Sequence, residues 1–382
     1  MVNASPVAKL FTPLTLGGKN NPVQLLHRVV MAPLTRLRSG EEAIPPSFAA
    51  KYYAQRSTDG GLLIAEGTNI NPTSRGYFGT PGLYNQKQVD AWKSVTKAVH
   101  DNGGKIFVQL WHTGRVNHPL NQPNGVLPVS SSAASMDHVN SFAVTREGRK
   151  KYVAPRALEI DEIPGIVEDY RKAAVNAIEA GFDGVELHAA NGYLLEQFLC
   201  DSVNQRTDQY GGCIENRARF LFEALEAILS SVDSSKVAIR LSPFGVTFGC
   251  TDSTPEDTYG YVVKKLNDYD LAYVHVVEPG GGHHAKGPLV PETGVTAHFR
   301  PIYNGVLITA SGYNRESADK VVEDNTADLV AFGRDFIGTP DLVKRLQIGA
   351  PLNKYDNKTF YLGGEEGYTD YPFLHETSVS VL

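Results

Sequence analysis

Eight short runs, apolar at nearly every position, recur at 28–31, 62–65, 105–110, 184–188, 237–241, 273–277, 306–309 and 329–332. Helix-compatible stretches at 47–59, 86–102, 164–180, 215–232, 255–267 and 316–324 lie between several of them. A strand with one wet face alternates apolar and polar residues. Runs apolar throughout are buried on both faces, which calls for a parallel sheet with helices outside. Eight such units close into a (β/α)8 TIM barrel, whereas a doubly wound sheet needs open edges and a reversal of strand order. The expectation is therefore an α/β TIM barrel. Residues 11–16 and 23–26, joined through Gly17-Gly18, predict an N-terminal β-hairpin capping one barrel mouth. The Pro-, Gly- and Ser-rich segment 113–164 predicts an excursion after the third strand, open to reading as a substrate lid or a surface insertion. Thr254, before Pro255, is read as a helix cap with Asp257 as its partner.

At 382 residues the length allows one domain or two. The eight units run almost end to end, so a single domain over 1–382 is expected, with its core at about 10–350 and a C-terminal extension. Lys+Arg 36 against Asp+Glu 42 gives a net charge of -6, which supplies no general field for a phosphate backbone; no nucleic-acid partner is expected. The three cysteines form no CxxC pair and the histidines no ligand pattern, so no metal is expected. With no leader-like start and no apolar run of spanning length, the expected setting is cytoplasmic, without a membrane partner. The terminal Ser-Val-Leu departs from the peroxisomal Ser-Lys-Leu form. Gly280-Gly281-Gly282 follows the sixth strand and reads as a mobile loop, beside His283-His284, and 146–151 reads as a solvated basic loop.

Polar residues gather where the apolar runs stop, which in a barrel is the catalytic mouth. After the fourth strand come His188, Asn191 and Tyr193: two groups able to hold an oxygen gaining negative charge, and a phenol able to give a proton to carbon. Stabilisation of their own loop is the alternative. Gln109 has the amide to read a heterocycle edge and Trp111 the ring to wall an aromatic slot, with plain packing equally open for Trp111. Arg240, ending the fifth strand, suits a ring carbonyl, a ribityl oxygen, a phosphate or a framework ion pair. Gly312 and Gly333, after strands seven and eight, allow close approach of backbone N–H groups to phosphate beside Arg334, or simply make tight turns.

Taken in order, Met-Ala-Pro-Leu-Thr-Arg at 31–36, Gln-Leu-Trp-His at 109–112, His-Ala-Ala-Asn-Gly-Tyr at 188–193, Asn-Gln-Arg-Thr-Asp-Gln-Tyr-Gly-Gly at 204–212 and Phe-Gly-Arg at 332–334 closely resemble the old yellow enzyme family of flavin-dependent ene-reductases. The resemblance implies an FMN-containing barrel, NADPH as reductant, and a small activated alkene as the second substrate, in a monomer or homodimer. It implies that Pro33, Thr35, Ala65 and Gln109 lie at the flavin ring, Arg240 near the ring and ribityl chain, and Gly312, Gly333 and Arg334 at the phosphate. His188 and Asn191 would hold the substrate oxygen, Tyr193 would protonate carbon, and Trp111 and Tyr361 would be aromatic neighbours of the substrate. The implied reaction is ping-pong hydride transfer from NADPH through FMN to the β-carbon. His27, Ala190 and Ser311 depart from the family pattern.

Overall fold

The computed structural model describes residues 7–18, 20–280 and 286–374. All eight runs form strands: Val29–Met31, Leu62–Asn69, Lys105–Trp111, Gly184–Ala189, Val237–Leu241, Tyr273–Val277, Leu307–Ala310 and Leu329–Phe332. Each pairs in parallel with its neighbours, and the eighth closes on the first through Phe332 opposite Met31, giving a closed barrel. The second strand outruns its expected end by continuing through Glu66. A register shift between Ala65 and Thr68 absorbs that buried carboxylate, which accepts from the Arg36 N–H.

Alternation along each strand explains why the runs carry few polar residues. Val30, Ile64, Phe107, Ala238, Tyr273, Ile308 and Leu329 point into the barrel and form one cluster. The residues between them, such as Leu63, Val108, Val185, Ile239, Val274 and Val330, pack outward against the helices. Those helices are Ala49–Arg56, Gln86–His100, Ile163–Glu179, Ile214–Leu229, Pro255–Leu266 and Arg315–Glu323. Short helices at Leu194–Leu199, Val295–Phe299, Arg334–Gly338 and Leu342–Ile348 were not expected from periodicity, being too short to display it.

The N-terminal hairpin pairs Leu14 with Leu25 in antiparallel register. The Gly17 N–H donates to the Ala272 carbonyl just before the sixth strand, so the hairpin seals the N-terminal mouth, with Leu16 and Leu25 joining the interior cluster. The helix at Pro255 starts where expected, but the Thr254 side chain makes no capping bond. Asp252 instead ties down the helix start, accepting from the Thr254 N–H at 3.0 Å and the Thr258 hydroxyl at 2.9 Å while pairing with Arg217. His27 touches Thr58 at 2.7 Å and accepts from the Val29 N–H, a local structural role.

The excursion is ordered by a parallel pair, Val129–Ser130 with Arg156–Ala157, and a hairpin, Ala143–Thr145 with Gly148–Lys150, whose tip at Arg146 and Glu147 is exposed. Its Met136, Ala143 and Tyr152 pack against Trp111 and Tyr193 across the C-terminal mouth. The C-terminal extension is held by buried arginines. Arg36 donates to the Phe360 carbonyl at 2.9 Å and the Gly367 carbonyl at 2.8 Å, and Arg56 to the Tyr368 carbonyl at 3.2 Å. Tyr368 stacks on Tyr52 with ring centroids 3.9 Å apart. Gly281-Gly282, His283-His284 and the terminal Ser-Val-Leu lie outside the described residues. Among the described residues no helix is long and apolar enough to cross a membrane.

Candidate active site

A cavity of about 460 Å³ opens at the C-terminal ends of the strands. Of the residues singled out in the sequence, Pro33, Thr35, Asn191, Arg240, Gly312, Gly333, Arg334 and Tyr361 line it. The segment after the first strand gives one wall, and the turns after the seventh and eighth strands give the opposite end. Ser311 and Gly312 both have positive φ, 91° and 83°, and the space a Gly312 Cβ would enter is open; at Gly333 a Cβ would meet only Leu34 at 3.4 Å. Arg334 stands exposed at the rim, its guanidinium 5.8 Å from the Tyr355 ring centre. Tyr361 remains 46% exposed, leaving its ring accessible from the mouth.

Trp111, His188 and Tyr193 meet in an aromatic wall. The Tyr193 ring stands edge-on to Trp111 at 4.8 Å and to His188 at 5.1 Å. His188 lies opposite Arg240 in strand register. The Tyr193 hydroxyl sits 3.2 Å from that of Tyr77, and burial pushes the Tyr193 phenol well above its ordinary value. Asn191 and Gly192 form a left-handed turn, φ 59° and 76°, which brings the Asn191 amide to the cavity.

Below this wall the barrel interior turns polar. The Gln109 amide donates to Glu186 at 2.7 Å, and His275 Nδ1 lies 2.8 Å from the other carboxylate oxygen. Burial opposes the Glu186 charge, but His275, Arg240 and Gln109 together hold its pKa below the ordinary value. Burial also depresses His275, so the pair is best described as a carboxylate accepting from a neutral imidazole. Gln109 is thus oriented from beneath. The Ala65 methyl packs into the helix-side core, so any contact it makes at the mouth falls to its backbone.

Three buried polar atoms at this mouth, Arg240 Nε, Asn191 Oδ1 and Trp111 Nε1, have no hydrogen-bond partner among the described residues. Leaving such atoms unpaired costs about 1–3 kcal/mol each, so the arrangement suits a ligand that supplies partners. The donor set fits FMN: backbone and apolar walls for a flat ring, a buried arginine beside it, and a glycine-lined end with a second arginine for a phosphate.

Sequence reasoning missed several contributors. Tyr77, Tyr152 and Phe248 complete the cover over Tyr193; they come from loops and a single 3-10 turn, all too short to show periodicity. Glu186 and His275 left a signal, since each is an ionisable residue in the middle of a mostly apolar strand.

Residues 9–353 match the family described as NADH:flavin oxidoreductase / NADH oxidase. The chain is 48% identical over 381 residues to 12-oxophytodienoate reductase 1 of Oryza sativa subsp. japonica, covering 98% of this chain and 96% of that one. It is 46% identical over 365 residues to 12-oxophytodienoate reductase 7 of the same plant, covering 92% of each. A solved structure of morphinone reductase in complex with tetrahydroNAD superposes with a TM-score of 0.89 at 47% identity, over 97% of this chain and 99% of that one.

Proposed function

The chain belongs to the NADH:flavin oxidoreductase / NADH oxidase family, the old yellow enzymes, and is an FMN-dependent oxidoreductase; from that membership we propose that it reduces the activated C=C bond of α,β-unsaturated ketones, aldehydes and related compounds, with NADPH as reductant. The observation that carries this reading is a cavity lined by Asn191, Pro33, Thr35, Arg240 and Arg334, with Asn191 two residues from Tyr193, whose ring stands edge-on to His188 and Trp111. The tetrahydroNAD bound in the solved morphinone reductase supports a nicotinamide as the electron source.

Pro33, Thr35, Ala65 and Gln109 are the residues that would hold the flavin ring, Arg240 its polar edge, and Gly312, Gly333 and Arg334 its phosphate. Bound FMN supplies what the side chains lack, a carrier that accepts hydride from a nicotinamide and delivers it to carbon. His188 and Asn191 hold the carbonyl or nitro oxygen and stabilise the negative charge growing there. Tyr193 gives its proton to the α-carbon; its raised pKa keeps it protonated through neutral pH. Trp111 fixes the Tyr193 ring edge-on, and Tyr361 closes the slot from the outer side. Nicotinamide and alkene use the pocket in turn, a ping-pong order, within a single catalytic domain.

Steady-state turnover with NADPH or NADH against an enone, a maleimide, a nitroalkene and a quinone tests this. Parallel double-reciprocal lines and faster turnover with NADPH and the enone are expected. Turnover confined to the quinone would refute the alkene assignment.

A further inference from the structure

The short helix Leu194–Leu199 follows Tyr193 directly and carries a carboxylate, Glu196, that is 4% exposed and forms no ion pair among the described residues. Three donors converge on it. The Ser242 hydroxyl donates to Oε1 at 2.6 Å, the Tyr259 hydroxyl to the same oxygen at 2.6 Å, and the Gly192 N–H to Oε2 at 2.5 Å. Ser242 in turn accepts the Asn191 N–H at 2.7 Å. Both peptide N–H groups of the left-handed Asn191–Gly192 turn therefore end on Glu196, one directly and one through Ser242. Gln197 Nε2 holds the same turn from its other side, donating to the Gly192 carbonyl at 2.8 Å.

A left-handed conformation costs most non-glycine residues roughly 1 kcal/mol or more, and although asparagine adopts it more readily than most, surrounding contacts can still impose it. Here the imposition is the carboxylate, and its consequence is the position of the Asn191 amide at the cavity. The geometry points to Glu196 as a positioning residue for the oxygen-holding pair: through Ser242 and Gly192 it sets where Asn191 meets the substrate oxygen. The inference rests on the reading of Asn191 given above. Glutamine cannot replace the carboxylate without loss. With its carbonyl on the Ser242–Tyr259 pair, its amide nitrogen faces the Gly192 N–H; with its carbonyl on Gly192, the amide can donate to the two hydroxyl oxygens, but the Ser242 and Tyr259 protons lose their acceptor.

The test is a double-mutant cycle on FMN-loaded protein, read by titration with para-chlorophenol, whose phenolate oxygen is the probe for the oxygen site. Glu196→Gln should weaken para-chlorophenol about tenfold, the size expected from one lost buried hydrogen bond, while FMN content stays at the wild-type level. In an Asn191→Ala background the same substitution should change the affinity less than about twofold. Ser242→Ala should reproduce the pattern, so the test survives if Glu196→Gln folds poorly. Wild-type affinity in Glu196→Gln, or an equal loss in both backgrounds, would overturn the proposal. Unchanged affinity in Asn191→Ala alone would instead overturn the oxygen-holding role of Asn191 on which it rests.

Discussion

Tyr193→Phe separates chemistry from packing. The substitution deletes one hydroxyl whose hydrogen bond is to Tyr77 at 3.2 Å. The ring contacts with Trp111 at 4.8 Å, His188 at 5.1 Å and Phe248 at 5.8 Å all remain available to phenylalanine. The stability cost is then that of one hydrogen bond, about 1 kcal/mol, and the Tyr77 hydroxyl left behind keeps its interaction with Tyr152. A positioned general acid is worth about 10²–10⁴ in rate, so enone turnover should fall by that factor. Reduction of the flavin by NADPH needs no proton from Tyr193 and should stay within about threefold of wild type, a limit well below that general-acid factor. Anaerobic stopped-flow absorbance at the flavin band follows the two half-reactions separately. Equal slowing of both, or an unslowed enone step, would refute the assignment of Tyr193 as proton donor.

Arg334→Gln, an exposed change at the cavity rim, should leave the apoprotein unfolding free energy within about 0.5 kcal/mol while weakening FMN roughly tenfold; riboflavin, which lacks the phosphate, should bind both proteins alike in fluorescence titrations. Leu16→Ala, at the hairpin that seals the far mouth, should cost about 2–4 kcal/mol in denaturant unfolding without altering para-chlorophenol affinity. His112, which accepts the Gly114 N–H, is depressed by burial to about 3 from 6.5, so the unfolded chain binds a proton that the folded one refuses between those values. Its stabilising effect is complete above pH 6.5 and drains away as pH falls toward 3, at up to about 1.4 kcal/mol per unit. His112→Asn should flatten the acid limb of a stability-against-pH curve. Glu66 and Glu196, both pushed up to about 7 by burial, act in the opposite sense in both proteins, so the wild-type-minus-variant difference isolates the histidine.

Much of the barrel was readable because both faces of every strand are buried, so apolar residues mark the strands without a partner having to be known. The hairpin was readable for a related reason: Gly17-Gly18 marks a turn whose flanks carry Leu16 and Leu25 into the interior. Helix ends were less so. Thr254 has the right chemistry for a cap, yet Asp252 sits better placed, and nothing in the local order of residues distinguishes the two. At the mouth, residues close in sequence, such as His188, Asn191 and Tyr193, could be grouped by eye. The groups that support the mouth come from far away: His275 reaches Glu186 across 89 residues, Tyr77 reaches Tyr193 across 116, and Ser242 reaches Asn191 across 51. Such pairings are set by strand order and loop return, which periodicity does not encode.

The most direct measurement of the central claim is product analysis after a single turnover. Protein purified with its own FMN is reduced anaerobically by one equivalent of NADPH carrying deuterium in the transferable position, then mixed with cyclohexenone. Cyclohexanone labelled at the β-carbon is expected, with the flavin returned to its oxidised spectrum. A flavin that stays reduced, or one reoxidised without any saturated ketone, would contradict the claim.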